Sequence, residues 1–329
     1  MRPLTDALPK PLLPFLNTPI LAYALDHLAR AGCRKVALNL HHLGAQIPPV
    51  VDRLLGALAP AYGPIEAVYV HEPTLRGTAG GVAGLWDALG APNTTLIVLN
   101  GDSVMDVDLA AHLAQHRQDR AQATLLARTP DGQHPGGLWA DAQRRVTGLR
   151  HLRPQGPGHE ELDFMGVHFL EPSVLRRATQ AAQAASAPCM VGDVYIPSLG
   201  GDEAPWVQRC DKFWVALDTP ALLLEATEQV LRDPSIFPQS PFFDTHAPGL
   251  CLLQPSALDD QTRLAPPVFL GALAGAGPNA QLGPCVVADG TRFGAGTRAR
   301  RSIFYGMGLV EGEWDSCVAV GGKVAQAEG

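Results

Sequence analysis

The chain has 329 residues, 46% of them hydrophobic and 17% charged, with a formal net charge of −7 at pH 7. That balance belongs to a folded globular protein of about two domains, and it excludes intrinsic disorder and a basic nucleic-acid-binding surface as defaults. The 34 glycines and 29 prolines disfavour a pure helical bundle.

In residues 19–32, Ile20, Leu21, Ala24, Leu25 and Leu28 fall at helical intervals and Gly32 supplies a stop, so the spacing predicts a helix. A short strand is expected over 35–40, a helix over 43–58, a strand over 65–70 and a helix over 79–89. The run LIVL at 96–99 is the most strand-like of all and ends at once in Asn100, Gly101 and Asp102. Asp108 reads as the N-cap of a helix over 109–117, followed by a strand over 123–127. Residues 132–158 loosen into turns and inserted hairpins before a strand over 163–170. A helix over 173–185, a strand over 213–217 and a helix over 220–232 complete the region.

Strands and helices alternating at this spacing predict an α/β fold, a Rossmann-like mostly parallel sheet covered on both faces. The proline-rich stretch from Asp233 to Phe243 reads as a linker. Beyond it, Leu270-Gly271, Ala276-Gly277 and Leu282-Gly283 recur every six residues, Ala288 follows at six and Phe293-Gly294 at five. A six-residue period with a small aliphatic residue before glycine describes a small left-handed parallel β-helix, three steps to a coil. The expected layout is an α/β domain over 1–235, a linker over 236–265 and the β-helix with its tail over 266–329.

The six cysteines (Cys33, Cys189, Cys210, Cys251, Cys285, Cys317) include no C-x-x-C pair, which suits free thiols in a reducing compartment. No apolar run of about 18 residues and no secretory leader is present, so the expectation is a cytoplasmic protein with no membrane partner.

Asp102 stands at the carboxyl end of a central strand, where α/β proteins bind ligands, and is the leading candidate ligand for a hard cation such as Mg²⁺. The tripeptide N-G-D equally suits a turn or cap. Lys10, one of only four lysines, lies between Pro9 and Pro11 in a stretch too proline-rich for a helix. It reads either as a phosphate-neutralising point charge on a stiff extended loop or as a solvated surface lysine. Gly77, Thr78 and Ala79 precede a helix and let the backbone approach a flat ligand, without the G-x-G-x-x-G dinucleotide spacing. His41 and His42 are adjacent rather than four apart and read as loop residues.

Taken together, RPLTDALPKPLLPFLNTPIL, GTAGG, LIVLNGD followed by MDVDL, DFMGVHFLEPSVL and FWVALDTPALLLEATEQVL resemble the sugar-phosphate nucleotidyltransferases. The similarity is to mannose-1-phosphate guanylyltransferase-like members with a C-terminal hexapeptide-repeat domain, and it covers most of residues 2–232. It implies an attack by a sugar 1-phosphate (mannose 1-phosphate) on the α-phosphorus of a nucleoside triphosphate (GTP), with pyrophosphate released. The resemblance places Lys10 on the phosphates, Gly77, Thr78 and Ala79 with Asn100 and Gly101 around the nucleotide, Gly166 and Asp193 near the sugar, and Asp102 on Mg²⁺. Because the attacking oxygen is already ionised, no protein nucleophile or base is required.

The sequence departs from the family pattern in three places. The G-x-G-T-R loop expected just ahead of Arg2 is not in these 329 residues, from a start assigned too late or from its loss. The second metal aspartate of W-x-D-x-G-T-P is Ala216, while Asp218 stands two positions on, as a displaced ligand or as a turn and capping residue before Thr219-Pro220. The family's E-K-P lysine is replaced, with Arg153 as the nearby cation. These departures carry a second reading, a nucleotide-sugar-binding regulatory or scaffold subunit. Acyl transfer by the β-helix is disfavoured because residues 266–329 contain no histidine; assembly into a homo-oligomer through that module is expected instead.

Overall fold

The computed structural model describes residues 1–132, 136–237, 250–252 and 257–327. Among these, the helices are α1 (Ile20–Arg30), α2 (Ile47–Tyr62), α3 (Gly77–Ala88), α4 (Leu109–Gln118), α5 (Pro172–Ala184) and α6 (Pro220–Arg232). Each corresponds to an expected helix, although α2 lies four residues later than 43–58 and α3 begins at Gly77 rather than Ala79. Gly32 takes the positive φ that stops α1, and Asp108 caps α4 by accepting from the Ala111 N–H at 3.0 Å. None of the helices among the described residues is long and apolar enough to cross a membrane.

Two compact units share the chain discontinuously: Met1–Asp26, Gly101–Asp106 and Phe213–Gly329 form one, and His27–Asn100 with Val107–Lys212 the other.

In the second unit, Lys35–Leu40 and Glu66–His71 pair in parallel. The larger sheet is organised by one long strand, His159–Leu170. Its second half lies antiparallel between Leu96–Leu99 and Ala123–Arg128, and its first half pairs antiparallel with Leu138–Asp141, which forms a hairpin with Val146–Leu149. Trp206–Arg209 adds in parallel beside Ala123–Arg128. The α/β architecture and its Rossmann-like character are therefore present, but strand directions are mixed where a mostly parallel sheet was expected. The reason is that 159–170 is one long strand whose two halves pair antiparallel with different neighbours, a feature that strand-by-strand periodicity does not reveal. The core fills with Ala79, Val82 and Ala83 of α3 and Val174, Leu175 and Ala178 of α5 against Leu125, Leu170 and Val207.

In the first unit, Pro14–Phe15 and Thr18–Pro19 form a small hairpin, and Ser103–Met105 pairs antiparallel with Trp214–Ala216. The C-terminal part is a parallel β-helix of about four turns. One column stacks Leu250–Leu252 on Val268–Leu270, followed by Val286–Ala288, Ser302–Phe304 and Cys317–Ala319. Coil length falls from 18 residues (Val268 to Val286) to 16 (Val286 to Ser302), so the period shortens as the sequence indicates at Phe293. The residues expected to point inward, Leu270, Ala276, Leu282, Ala288 and Phe293, are all buried.

The stacking begins earlier than residue 266. Ala257–Leu258 and Arg263–Leu264, inside the expected linker, pair in parallel with Gly275–Ala276 and Gln281–Leu282; residues 238–249 and 253–256 of that linker lie outside the described residues. The first column is apolar on both faces. Its outward residues Phe269, Val287, Ile303 and Val318 share a core with Leu223, Leu224, Val230 and Leu231 of α6 and with Leu4, Leu13 and Phe15 of the N-terminal segment. Burial of such side chains is worth about 1.5–3 kcal/mol each, so within this unit the β-helix is a packing partner of α6 as well as a repeat stack. The C-terminal hairpin of Glu313–Val320 with Lys323–Gln326 pairs the last coil's edge.

Candidate functional site

Three distant parts of the first unit bring their charged side chains together. The Lys10 ammonium donates to Asp102 Oδ2 at 2.7 Å and to Asp218 Oδ1 at 2.6 Å. Lys10 opens a short 3₁₀ turn, Lys10–Leu12, rather than an extended loop, because Pro9 sets an extended entry and the Leu12 N–H closes on Pro9 O at 2.8 Å. Leu12 and Leu13 are buried behind it, which fixes the backbone and leaves the lysine arm facing the carboxylates.

Asp102 and Asp218 arrive at the same end of one antiparallel ladder, one from each strand. Ser103–Met105 and Trp214–Ala216 pair with Ser103 opposite Ala216. Beyond that pair, the Leu217 N–H donates to Asp102 O at 3.1 Å and the Asp218 N–H folds back to Ala216 O at 2.9 Å. The tight turn buries Leu217 and turns Asp218 toward Lys10. The capping alternative for Asp218 fails. Thr219 caps α6, its hydroxyl accepting from the Leu222 N–H at 3.1 Å. Gly101 leads into Asp102 with the Leu21 side chain 3.5 Å from where a β-carbon would stand.

Burial alone would lower the Lys10 pKa, but hydrogen bonds and Coulombic attraction from Asp102 and Asp218 outweigh it and hold the ammonium above the usual lysine value. Side-chain exposure is 23% for Lys10, 36% for Asp102 and 64% for Asp218, so the cluster is open to solvent and adds little to stability. Among the described residues no group of three or more His, Cys, Asp or Glu side chains could hold a metal ion. The donor set present is two carboxylates converging on one point cation. It matches what Mg²⁺ requires of a protein, one or two carboxylates with substrate phosphates and water completing the shell.

The second unit holds the other sequence-predicted residues. Gly77 has a φ of +68°, and a β-carbon there would collide with the backbone of Ala187 and Pro188. The Ala79 N–H donates to Pro188 O at 3.0 Å, and the Thr78 hydroxyl accepts from the Met190 N–H at 2.8 Å. The glycine-threonine-alanine start of α3 is thus zipped to the segment ahead of the π-helical turn Met190–Tyr195. Asp193, expected near a sugar, has one carboxylate oxygen on the Cys189 N–H at 2.6 Å. Asn100 and Gly166 meet: the Asn100 N–H donates to Gly166 O at 3.0 Å. Gly166 has a φ of +74° within an irregularity between Phe164 and His168, and its missing side chain leaves room for the Asn100 amide.

Cys189 carried no signal in the sequence beyond being an isolated cysteine. Burial would raise its thiol, but hydrogen bonds from the Gly192 N–H, the Thr78 hydroxyl and the Val191 N–H, and the Arg150 charge, outweigh that and lower it below the usual range. The Arg150 Nη2 donates to the sulfur at 2.9 Å. Arg153, the cation expected near the E-K-P position, lies over the Trp139 ring, 5.3 Å from its centroid.

The nucleotidyl transferase family profile matches residues 1–233. The chain belongs to that family. It is 29% identical over 301 residues to a mannose-1-phosphate guanylyltransferase of Mycobacterium tuberculosis, across 90% of this chain and 78% of the relative. A Neisseria meningitidis N-acetylmuramate α-1-phosphate uridylyltransferase is 30% identical over 233 residues, across 69% of this chain and 91% of its own. Among solved structures, a putative glucose-1-phosphate thymidylyltransferase of Bacillus anthracis, in complex with a sucrose, superposes with a TM-score of 0.58 at 16% identity, covering 70% of this chain and 89% of that one. This last likeness concerns the fold. The names of these three proteins carry three different bases and three different sugars.

Proposed function

We propose that the protein is a sugar-1-phosphate nucleotidyltransferase that forms a nucleoside diphosphate sugar and releases pyrophosphate, with GTP and mannose 1-phosphate as its substrates. The carrying observation is the convergence of Lys10, Asp102 and Asp218 in a chain whose residues 1–233 match the family. Joining two anions needs positive charge and positioning, and this cluster offers one ammonium together with two carboxylates suited to a divalent cation. Asp102 and Asp218 would hold Mg²⁺, Asp218 serving from two positions beyond Ala216. When bound, that ion supplies Lewis-acid neutralisation of the phosphate oxygens.

Lys10 meets the phosphates as a point charge. The start of α3, with Gly77, Thr78 and Ala79, offers a closely approachable backbone for the base, and Asn100 beside Gly166 offers an amide to the nucleotide or the sugar. The greater coverage of the guanylyltransferase relative, 90% of this chain, favours GTP and mannose 1-phosphate over the other named pairs. The β-helix faces not covered by α6 are where a second copy of the chain would pack. The test is pyrophosphate release over a panel of nucleoside triphosphates and sugar 1-phosphates. GTP with mannose 1-phosphate should give the highest kcat/KM, and a higher value for any other pair overturns the substrate assignment. Nucleotide-sugar binding without turnover of any pair would leave the regulatory-subunit reading in its place.

A further inference from the structure

The Lys10 ammonium is where the two proposed metal ligands converge, 2.7 Å from Asp102 and 2.6 Å from Asp218. With two carboxylates and one ammonium the cluster carries a net charge of −1. Adding a divalent cation beside an unmoved lysine makes it +1 and sets two cations against the same pair of carboxylates. Releasing the lysine brings the carboxylates and metal to neutrality and frees one positive charge for an incoming triphosphate. The backbone permits this without rearrangement. Lys10 is pinned at the head of its 3₁₀ turn by the Leu13 N–H donating to Lys10 O at 3.1 Å and by buried Leu12 and Leu13. A four-carbon arm on a fixed pivot can swing while the pivot stays.

We propose that Lys10 is an internal counter-cation: it holds Asp102 and Asp218 in the metal-free protein, yields them to a divalent cation and then turns to the phosphates. This rests on the assignment of Asp102 and Asp218 as metal ligands made above. It adds that metal binding and the arming of Lys10 are a single exchange.

Two measurements on the full chain without nucleotide test it. In the first, Mn²⁺ binding is followed by the electron paramagnetic resonance of the free ion. Lys10→Met should bind Mn²⁺ about tenfold or more tighter than the natural chain, since a competing charge has gone, while Asp102→Asn should bind it more weakly. Unchanged or weaker binding by Lys10→Met, with Asp102→Asn still impaired, overturns the exchange and spares the metal assignment. Binding unaffected by either substitution overturns both. In the second, the four lysines are labelled by reductive ¹³C-methylation, with Lys10 assigned by its loss in Lys10→Arg. Titrating Mg²⁺ into the natural chain should move the Lys10 resonance toward the position of solvated lysines and leave Lys35, Lys212 and Lys323 in place. A Lys10 signal indifferent to saturating Mg²⁺ overturns the proposal independently of how the methionine variant folds.

Discussion

The charged cluster of the first unit and the start of α3 in the second are built from different materials. Lys10, Asp102 and Asp218 come from segments far apart in the chain and meet through side chains alone, half open to solvent. Gly77, Thr78 and Ala79 are held to residues 187–190 mainly by backbone atoms and close approach. A side-chain cluster in solvent can lose its chemistry while the fold stays intact. A backbone zip cannot, because its geometry is the fold. Substitutions that are conservative in size should therefore separate activity from stability in the first region and couple them in the second.

The largest separation is expected at Asp102. Asp102→Asn keeps the volume and the strand-end turn but removes the charge, and pyrophosphate release should fall roughly a thousandfold. The melting temperature should stay nearly unchanged, because exposed ion pairs contribute at most about 1 kcal/mol. A large loss of stability would show that the cluster supports the fold and would erase the contrast. Next in size is Gly77→Ala. The added β-carbon meets backbone that cannot give way, on a residue at positive φ, and should cost about 3 kcal/mol in urea unfolding. It should also raise the KM for the triphosphate, the coupling of the two quantities being the point. A variant with native stability would mean that residues 187–188 are free to move.

The two regions also differ in how far the sequence discloses them. Asp102 is a candidate through LIVLNGD and Lys10 through its setting between prolines, each with a bland reading beside it, and only the fold brings the two together. Asp218 was less legible, because a residue before Thr-Pro reads equally as a cap; only the turn at Leu217, closed on Asp102 O and Ala216 O, turns it to Lys10. The β-helix was visible in its six-residue period, including the shortened step at Phe293. Its earlier strands, Leu250–Leu252 and Ala257–Leu258, were not, since neither is followed by the glycine that marks later ones. Mixed strand direction escaped because His159–Leu170 pairs along different halves with different partners, and pairing partners are a long-range property. Cys189 and Arg150 escaped for the same reason: their relation is a matter of contact between segments 39 residues apart.

A smaller effect separates hydrogen bonding from packing at the α3 start. Thr78→Val preserves shape and removes the oxygen that receives the Met190 N–H, leaving a part-buried donor without that partner. The expected loss is about 1–2 kcal/mol of unfolding free energy, measured by urea denaturation. A neutral substitution would imply that the donor finds water or another acceptor there, and that the zip is held by Gly77 and Ala79 alone.

The smallest effect concerns the sulfur beside the same hydroxyl. Because the Cys189 thiol is held below its usual range by the Gly192, Thr78, Val191 and Arg150 groups against the opposing effect of burial, its thiolate persists to lower pH than an ordinary cysteine's. Alkylation of Cys189 by iodoacetamide, followed by mass spectrometry across pH, should have its midpoint below that of a model thiol. Arg150→Gln should move it upward. The linkage has a definite sign. A depressed folded-state value adds stability above the unfolded thiol's pKa, and that increment disappears as pH falls through the folded value, so Arg150→Gln should cost stability at alkaline pH and little under acidic conditions. An alkylation midpoint unmoved by Arg150→Gln would assign the depression to the backbone N–H groups and Thr78, which would make the second region a matter of main-chain geometry even where a charged side chain touches it.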